Sequence, residues 1–244
     1  MESNNEYRLL EDEFKATFIK ELMPGILHNF ANPLNGIMGR SKLLQRRIDS
    51  LAKKLVQHHP DVSVALFEEM EKIKSDVRSV NNESEVFFGM FRDVSTKFYA
   101  LATREEERIS LSQMLAAEMR FADFYLEFKH EITKTLALDR EIPEFMGNAR
   151  ELSLSFWRLI RFAMVQALNS KKKEFFLSTG HDRENVHVQI KYTIDESSRH
   201  AMNPDTGMMS AIEILKKYLA EIQFLKEDGI NAIMVRIPYR VSGD

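Results

Sequence analysis

From Met23 to Leu55 the apolar residues fall on alternating steps of four and three: Met23, Leu27, Phe30, Leu34, Ile37, then Leu44, Ile48, Leu51 and Leu55, with Ser41 as the one break. That is a heptad seam, the pattern of a helix packed lengthwise against other helices. A second seam runs through Leu66, Met70, Ile73, Val77, Val80, Ser84, Phe87, Phe91, Val94, Phe98 and Leu101. Between them HHPD at 58–61 stops the first helix, because proline cannot continue a helix interior, and Asp61 or Ser63 can cap the second. The pair reads as an antiparallel hairpin. One hairpin has too little to bury its seam against, so two hairpins from two chains are expected to form a four-helix bundle and a homodimer. Ser41 and Ser84 interrupt their seams without a reason legible in the sequence.

After ATREEER at 102–108 the pattern changes. Short β-type runs, EITKTLA (131–137), EFFLSTG (174–180), VHVQIKYTI (186–194), EIQFLK (221–226) and AIMVRIPYRV (232–241), alternate with helices expected at about 149–169 and 207–219. This predicts an α/β sandwich with helices on one face of a largely antiparallel sheet. The fold class is therefore α+β, with a helical-hairpin domain at 1–103 and an α/β domain at 104–244.

The chain has 244 residues, 44% of them hydrophobic, and a net charge of -3. That is enough for two cores, and it lacks the basic excess expected of a nucleic-acid binder. No apolar run approaches the roughly 18 residues of a membrane span, and the acidic start MESNNEYRLLEDEF is no secretory signal. With no cysteine there is no disulfide or thiolate chemistry. A reducing cytoplasm is the expected setting. His58-His59 beside Pro60 reads as a polar turn rather than a metal site.

The first helix carries HNFANPLNGIMG, from His28 to Gly39. His28 lies one residue past the seam position Leu27, on the flank. The same spacing continues through Asn32, Asn35, Gly39 and Lys42, so this flank is polar and small. Gly36 and Gly39 each cost about 1 kcal/mol in a helix interior, a choice that suits a face another backbone approaches closely. Pro33 should bend the helix just past the histidine and Pro24 just before it. Histidine has an unperturbed pKa near neutrality, and its imidazole can take a phosphoryl group as a nucleophile. A histidine on a helix flank is, taken alone, most often an ordinary surface residue. A metal site is not indicated, since no carboxylate or second histidine lies three or four residues away.

HNFANPLNGIMGRSKLL resembles the H-box of two-component sensor histidine kinases, in which a phospho-accepting histidine is followed by an acidic residue, then Asn or Thr, Pro and Leu. His28, Asn32, Pro33 and Leu34 match. The resemblance extends over nearly the whole chain. It implies a dimerisation and phosphotransfer hairpin followed by a histidine-kinase ATPase-like sandwich ending at Ile237-Pro238. By this likeness His28 is the phosphoacceptor, and Asn32 orients a water or the phosphoryl group. The face of Asn35, Gly36, Gly39 and Arg40, with the start of the second helix beside it, docks a response-regulator receiver domain.

Where the chain departs from that family, it loses kinase parts. Asn29 stands where the family carries the carboxylate base, and an amide cannot accept the proton. In the helix RLIRFAMVQALNS the two expected asparagines align with Phe162 and Gln166. TIDESSRHA keeps Asp195, the adenine contact, without the glycines of its box. DTGMMSAIEIL keeps Gly207 alone and puts Met208 and Met209 where phosphates need bare backbone. The expectation is a relay through His28 between receiver aspartates, with ATP binding lost, magnesium supplied by the receiver, and no cofactor, nucleic acid or membrane. Three alternatives stay open: a phosphatase of a phosphorylated response regulator using Asn32, a residual histidine kinase, and a non-enzymatic dimer that sequesters a partner.

Overall fold

The computed structural model describes residues 2–57, 63–102, 105–195, 205–227 and 229–239. The expected turn at 58–61, with His58, His59 and the Asp61 cap, lies outside them, as does TIDESSRHA beyond Asp195. Contacts divide the chain into two compact units. One is Ile26–Val94; the other joins the segment up to Gly25 with everything from Ser95 onward. The division therefore falls inside the helices rather than at 103/104, and the first 25 residues belong with the α/β part.

In the hairpin unit, helix α2 (Met23–Gln57) runs antiparallel to α3 (Ser63–Ala102). Pro33 sits inside a continuous α2, and it is buried. The seam splits into two rows. Phe30, Ile37 and Leu44 are half-buried, with Phe30 edge-on to Phe87 at 5.5 Å. The alternate row, Leu34, Ser41 and Ile48, is exposed, with Leu34 at 48% and Ile48 at 45%; Val77 (40%) and Phe91 (55%) repeat this on α3. Ser41 thus falls on the open row. Ser84 satisfies itself by donating to the Val80 carbonyl one turn back, at 2.8 Å. Across the hairpin, Asp76 is buried and paired with Arg47 and Arg40.

The other unit is built on a five-stranded sheet: β2 (Thr133–Ala137), β4 (Glu174–His181), β5 (Asn185–Thr193), β7 (Ile230–Pro238) and β6 (Glu221–Glu227), in that spatial order. Only β2 and β4 run parallel. Their crossover contains α6 (Ala149–Leu168), as a parallel connection requires. The alternation set by the pleat buries one face: Leu177, Ile190 and Ile233 are cross-strand neighbours in one row, and Phe175 and Tyr192 in the next. Burial pushes the Tyr192 phenol up to about 12. Helix α6 covers this face, α4 (Leu111–Ala122) and α7 (Thr206–Lys216) pack on α6, and α5 is the short Leu126–Glu131 turn. Ser110, Asn148 and Asp205 cap α4, α6 and α7 through their side chains. A separate two-stranded ladder joins β1 (Glu106–Ile109) to β3 (Phe145–Asn148).

The end of α3 is held by a buried polar knot. The Lys97 ammonium donates to both oxygens of Glu118 and to Ser153, each at 2.7 Å, and lies over the rings of Phe14, Phe121 and Trp157. Burial lowers the Lys97 pKa, and the Glu118 carboxylate opposes that shift.

Helix α1 (Glu2–Thr17) was not expected from the sequence. A π-helical turn, Phe18–Leu22, joins it to α2. There the Met23 N–H donates to the Phe18 carbonyl, five residues back. Pro24, with no N–H, has none to give the carbonyl four residues before it. Among the described residues, no helix is long and apolar enough to cross a membrane.

Candidate functional site

The hairpin presents one polar stripe. His28, Asn32, Asn35 and Gly39 are all exposed, and spacings of four, three and four residues place them on one face of α2. Pro33 and Asn29 are buried. The histidine is therefore open to solvent, and Asn29, which the resemblance sets at the base position, is a buried amide. A methyl group built on Gly39 would meet nothing within 4 Å, while on Gly36 it would meet the Glu83 side chain at 3.1–3.3 Å. Arg40 is half-exposed and lies 3.5 Å from Asp76.

The neighbour of this stripe is not the start of the second helix. Phe30 meets Phe87, Gly36 faces Glu83, and Arg40 and Arg47 reach Asp76. In an antiparallel hairpin the turn lies at the far end of α2, so His28 is beside the later part of α3. That places Phe88, which is 67% exposed and edge-on to Phe87, near the level of His28. Phe88 and Glu83 were missed as candidate contacts. Phe88 was visible in principle, as a large apolar residue one step off the seam.

The positions that resemblance assigns to a nucleotide lie in the α/β unit, and several are engaged otherwise. The Phe162 ring packs edge-on against Tyr192 at 6.0 Å. Asp195 accepts the backbone N–H of Lys171 at 3.0 Å, the work of a turn residue. Met208 is buried as part of α7's inward stripe with Ala211, Ile212 and Leu215, and only Met209 faces outward. The expected obstruction by Met208 is thus corrected, because its helical position turns it into the core. What covers Gly207 is Glu13 of α1: a methyl group on Gly207 would lie 2.2 Å from a Glu13 oxygen and 2.6 Å from Arg158 Nε.

A cavity of about 500 Å³ lies beside Lys97, lined in part by Glu107, Arg108, Gln113 and Arg120, and includes none of the residues singled out in the sequence. Among the described residues, no three His, Asp or Glu side chains cluster in a way that could hold a metal ion.

No protein-family model matches the chain, and no curated protein matches it. Among solved structures it is similar to the Acinetobacter baumannii histidine kinase AdeS, at 14% identity over 83% of this chain and 96% of that one, with a TM-score of 0.45. It is also similar to the catalytic domain of the histidine kinase ThkA, at 12% identity over 56% and 97% with a TM-score of 0.46. A third is a histidine kinase from Burkholderia phymatum, at 12% identity over 83% and 97% with a TM-score of 0.43. These likenesses are too distant to assign an activity.

Proposed function

We propose that the chain is a cytoplasmic, homodimeric histidine phosphotransfer protein that relays a phosphoryl group between receiver-domain aspartates through His28, without phosphorylating itself from ATP. The observation that carries this reading is the solvent-open stripe His28, Asn32, Asn35 and Gly39 beside a buried Asn29. An exposed imidazole needs no base of its own to attack an acyl phosphate, because the aspartate carboxylate is a good leaving group. A neutral ring nitrogen forms the P–N bond as the bond from phosphorus to the aspartyl oxygen breaks, and the carboxylate departs. The imidazolium proton on the other nitrogen is released to water. The receiver brings the magnesium and most of the charge stabilisation, and the relay brings position.

Loss of ATP binding is supported by Phe162, which offers no ligand, by Asp195, one of whose oxygens accepts the Lys171 N–H, and by the Glu13 side chain beside Gly207. The exposed rows of Leu34 and Ile48 on α2, and of Val77 and Phe91 on α3, support a second copy completing a four-helix bundle.

Asn32, exposed one turn from His28, favours one alternative, in which its amide orients a water against the receiver's phospho-aspartate. Incubation with a receiver carrying labelled phosphate separates the two. Transfer puts acid-labile label on His28, whereas hydrolysis releases inorganic phosphate with no labelled protein intermediate. Label reaching His28 from ATP alone would replace both readings with that of a kinase.

A further inference from the structure

The heptad seam of the hairpin is only half used within the chain. Phe30 and Phe87 meet across it, while Leu34, Ser41 and Ile48 on α2 and Val77 and Phe91 on α3 stay exposed. None of these five is charged, in a chain that is 29% charged, so the row is not composed for solvent. A row with heptad spacing on both helices is complementary to itself, and its fitting occupant is a second copy.

Helix geometry then fixes what stands beside the row. At about 100° per residue, Phe30 lies about 40° to one side of Leu34 on α2, with Pro33 and Asn29 further round that side. His28, Asn35 and Gly39 lie about 100–140° round the other side. On α3, Phe87, Glu83 and Asp76 face α2 and lie about 40–80° to one side of Phe91. Phe88 lies about 60° to the other side. Its ring, 67% exposed, is thus turned away from its own α2, as His28 is turned away from its own α3.

In a two-fold four-helix bundle, α2 has two neighbours: its own α3 and that of the second copy. A two-fold axis along the bundle preserves height, and Phe87 is level with Phe30. We propose that each His28 face is built from two chains, with the second copy's Phe88 forming an apolar wall beside the imidazole, against which the receiver docks. This rests on the homodimer of the proposed function and assigns a new residue to its site.

The chain has no cysteine, so introduced thiols are the only ones a bismaleimide can join. A short bismaleimide should link full-length His28→Cys chains to Phe88→Cys chains as a covalent dimer, and should turn the double variant into a covalent dimer rather than a looped monomer. Leu34→Cys alone reports the seam. A linked Leu34→Cys dimer with His28→Cys and Phe88→Cys chains left apart, or a looped double variant, overturns the proposal and leaves the homodimer standing. No link through Leu34→Cys, with a monomer in sedimentation, overturns both. Two mixed dimers then test the wall in transfer from a phosphorylated receiver at subsaturating concentration. Pairing a His28→Ala chain with a Phe88→Ala chain leaves the intact His28 beside an intact Phe88, and transfer per His28 should match wild type. Pairing a wild-type chain with a His28→Ala, Phe88→Ala chain removes the wall, and transfer should fall about tenfold. Equal rates in the two mixed dimers, or the reverse order, overturn the proposal.

Discussion

Two helices of this molecule treat their polar side chains in opposite ways. Along α6, the arginines at 150, 158 and 161 are each taken up by a carboxylate of the first 25 residues, and the glycine that opens α7 is covered. Along α2, His28, Asn32, Asn35 and Gly39 stand in solvent with small neighbours. The first surface has been used up internally, as structural faces are. The second keeps Gly39, costly in a helix interior, exposed with open space beside it, which packing within the chain does not explain. Such a face is what the proposed relay, with a partner that comes and goes, requires.

The contrast can be strained first where burial is deepest. Glu118→Ala leaves the Lys97 ammonium buried without its carboxylate, so the α/β unit should lose about 3–5 kcal/mol in denaturant melts. His28→Ala, on the open face, should stay within about 0.5 kcal/mol of wild type. Equal losses would dissolve the distinction between the two surfaces.

Next comes the exposed seam row. Leu34→Glu and Ile48→Glu each place a charge where the proposed second copy would bury about 1.5–3 kcal/mol of side chain. Each should weaken dimerisation by at least about tenfold in sedimentation; an unaltered dimer would move its interface elsewhere.

Asp205 gives a smaller effect, with a defined pH sign. Partial desolvation pushes its carboxyl up, but the Met208 N–H and the Arg158 guanidinium hold it, on balance, below the ordinary 3.8. Its contribution is complete above that value and is lost as pH falls through the lowered folded pKa. Asp205→Ala should cost about 1 kcal/mol at neutral pH, and the difference from wild type should shrink in acid. A difference independent of pH would remove the charged cap from the account.

Smallest is Gly39→Ala, which adds a methyl group to open space. It should stabilise the hairpin by about 0.5–1 kcal/mol and yet slow transfer from a receiver. Stabilisation with undiminished transfer would mean that no backbone approaches closely there.

Much of this was legible in residue spacing. Both seams were readable from their steps of three and four, and the five strands of the main sheet are within two or three residues of their alternating runs, because periodicity is a local property. The four-residue strands at 106–109 and 145–148 carry too short a pattern to read. Helix α1 was hidden by its acidic composition. Leu10, Phe14 and Thr17 do form a buried stripe, but Glu11, Glu13 and Glu21 make sense only opposite arginines some 140 positions away. The polar stripe at His28 was readable for the opposite reason, since all its members lie within one helix. The neighbour on α3 was misjudged because antiparallel pairing sets residue 28 against the later part of the second helix rather than its start.

The most direct test of the relay is transfer between two receivers, with labelled phospho-aspartate on the first and none on the second. Wild type should carry acid-labile label on His28 and pass it to the second receiver, while His28→Ala, folded to the same stability, should pass none. Label reaching the second receiver at the wild-type rate through His28→Ala would contradict the account.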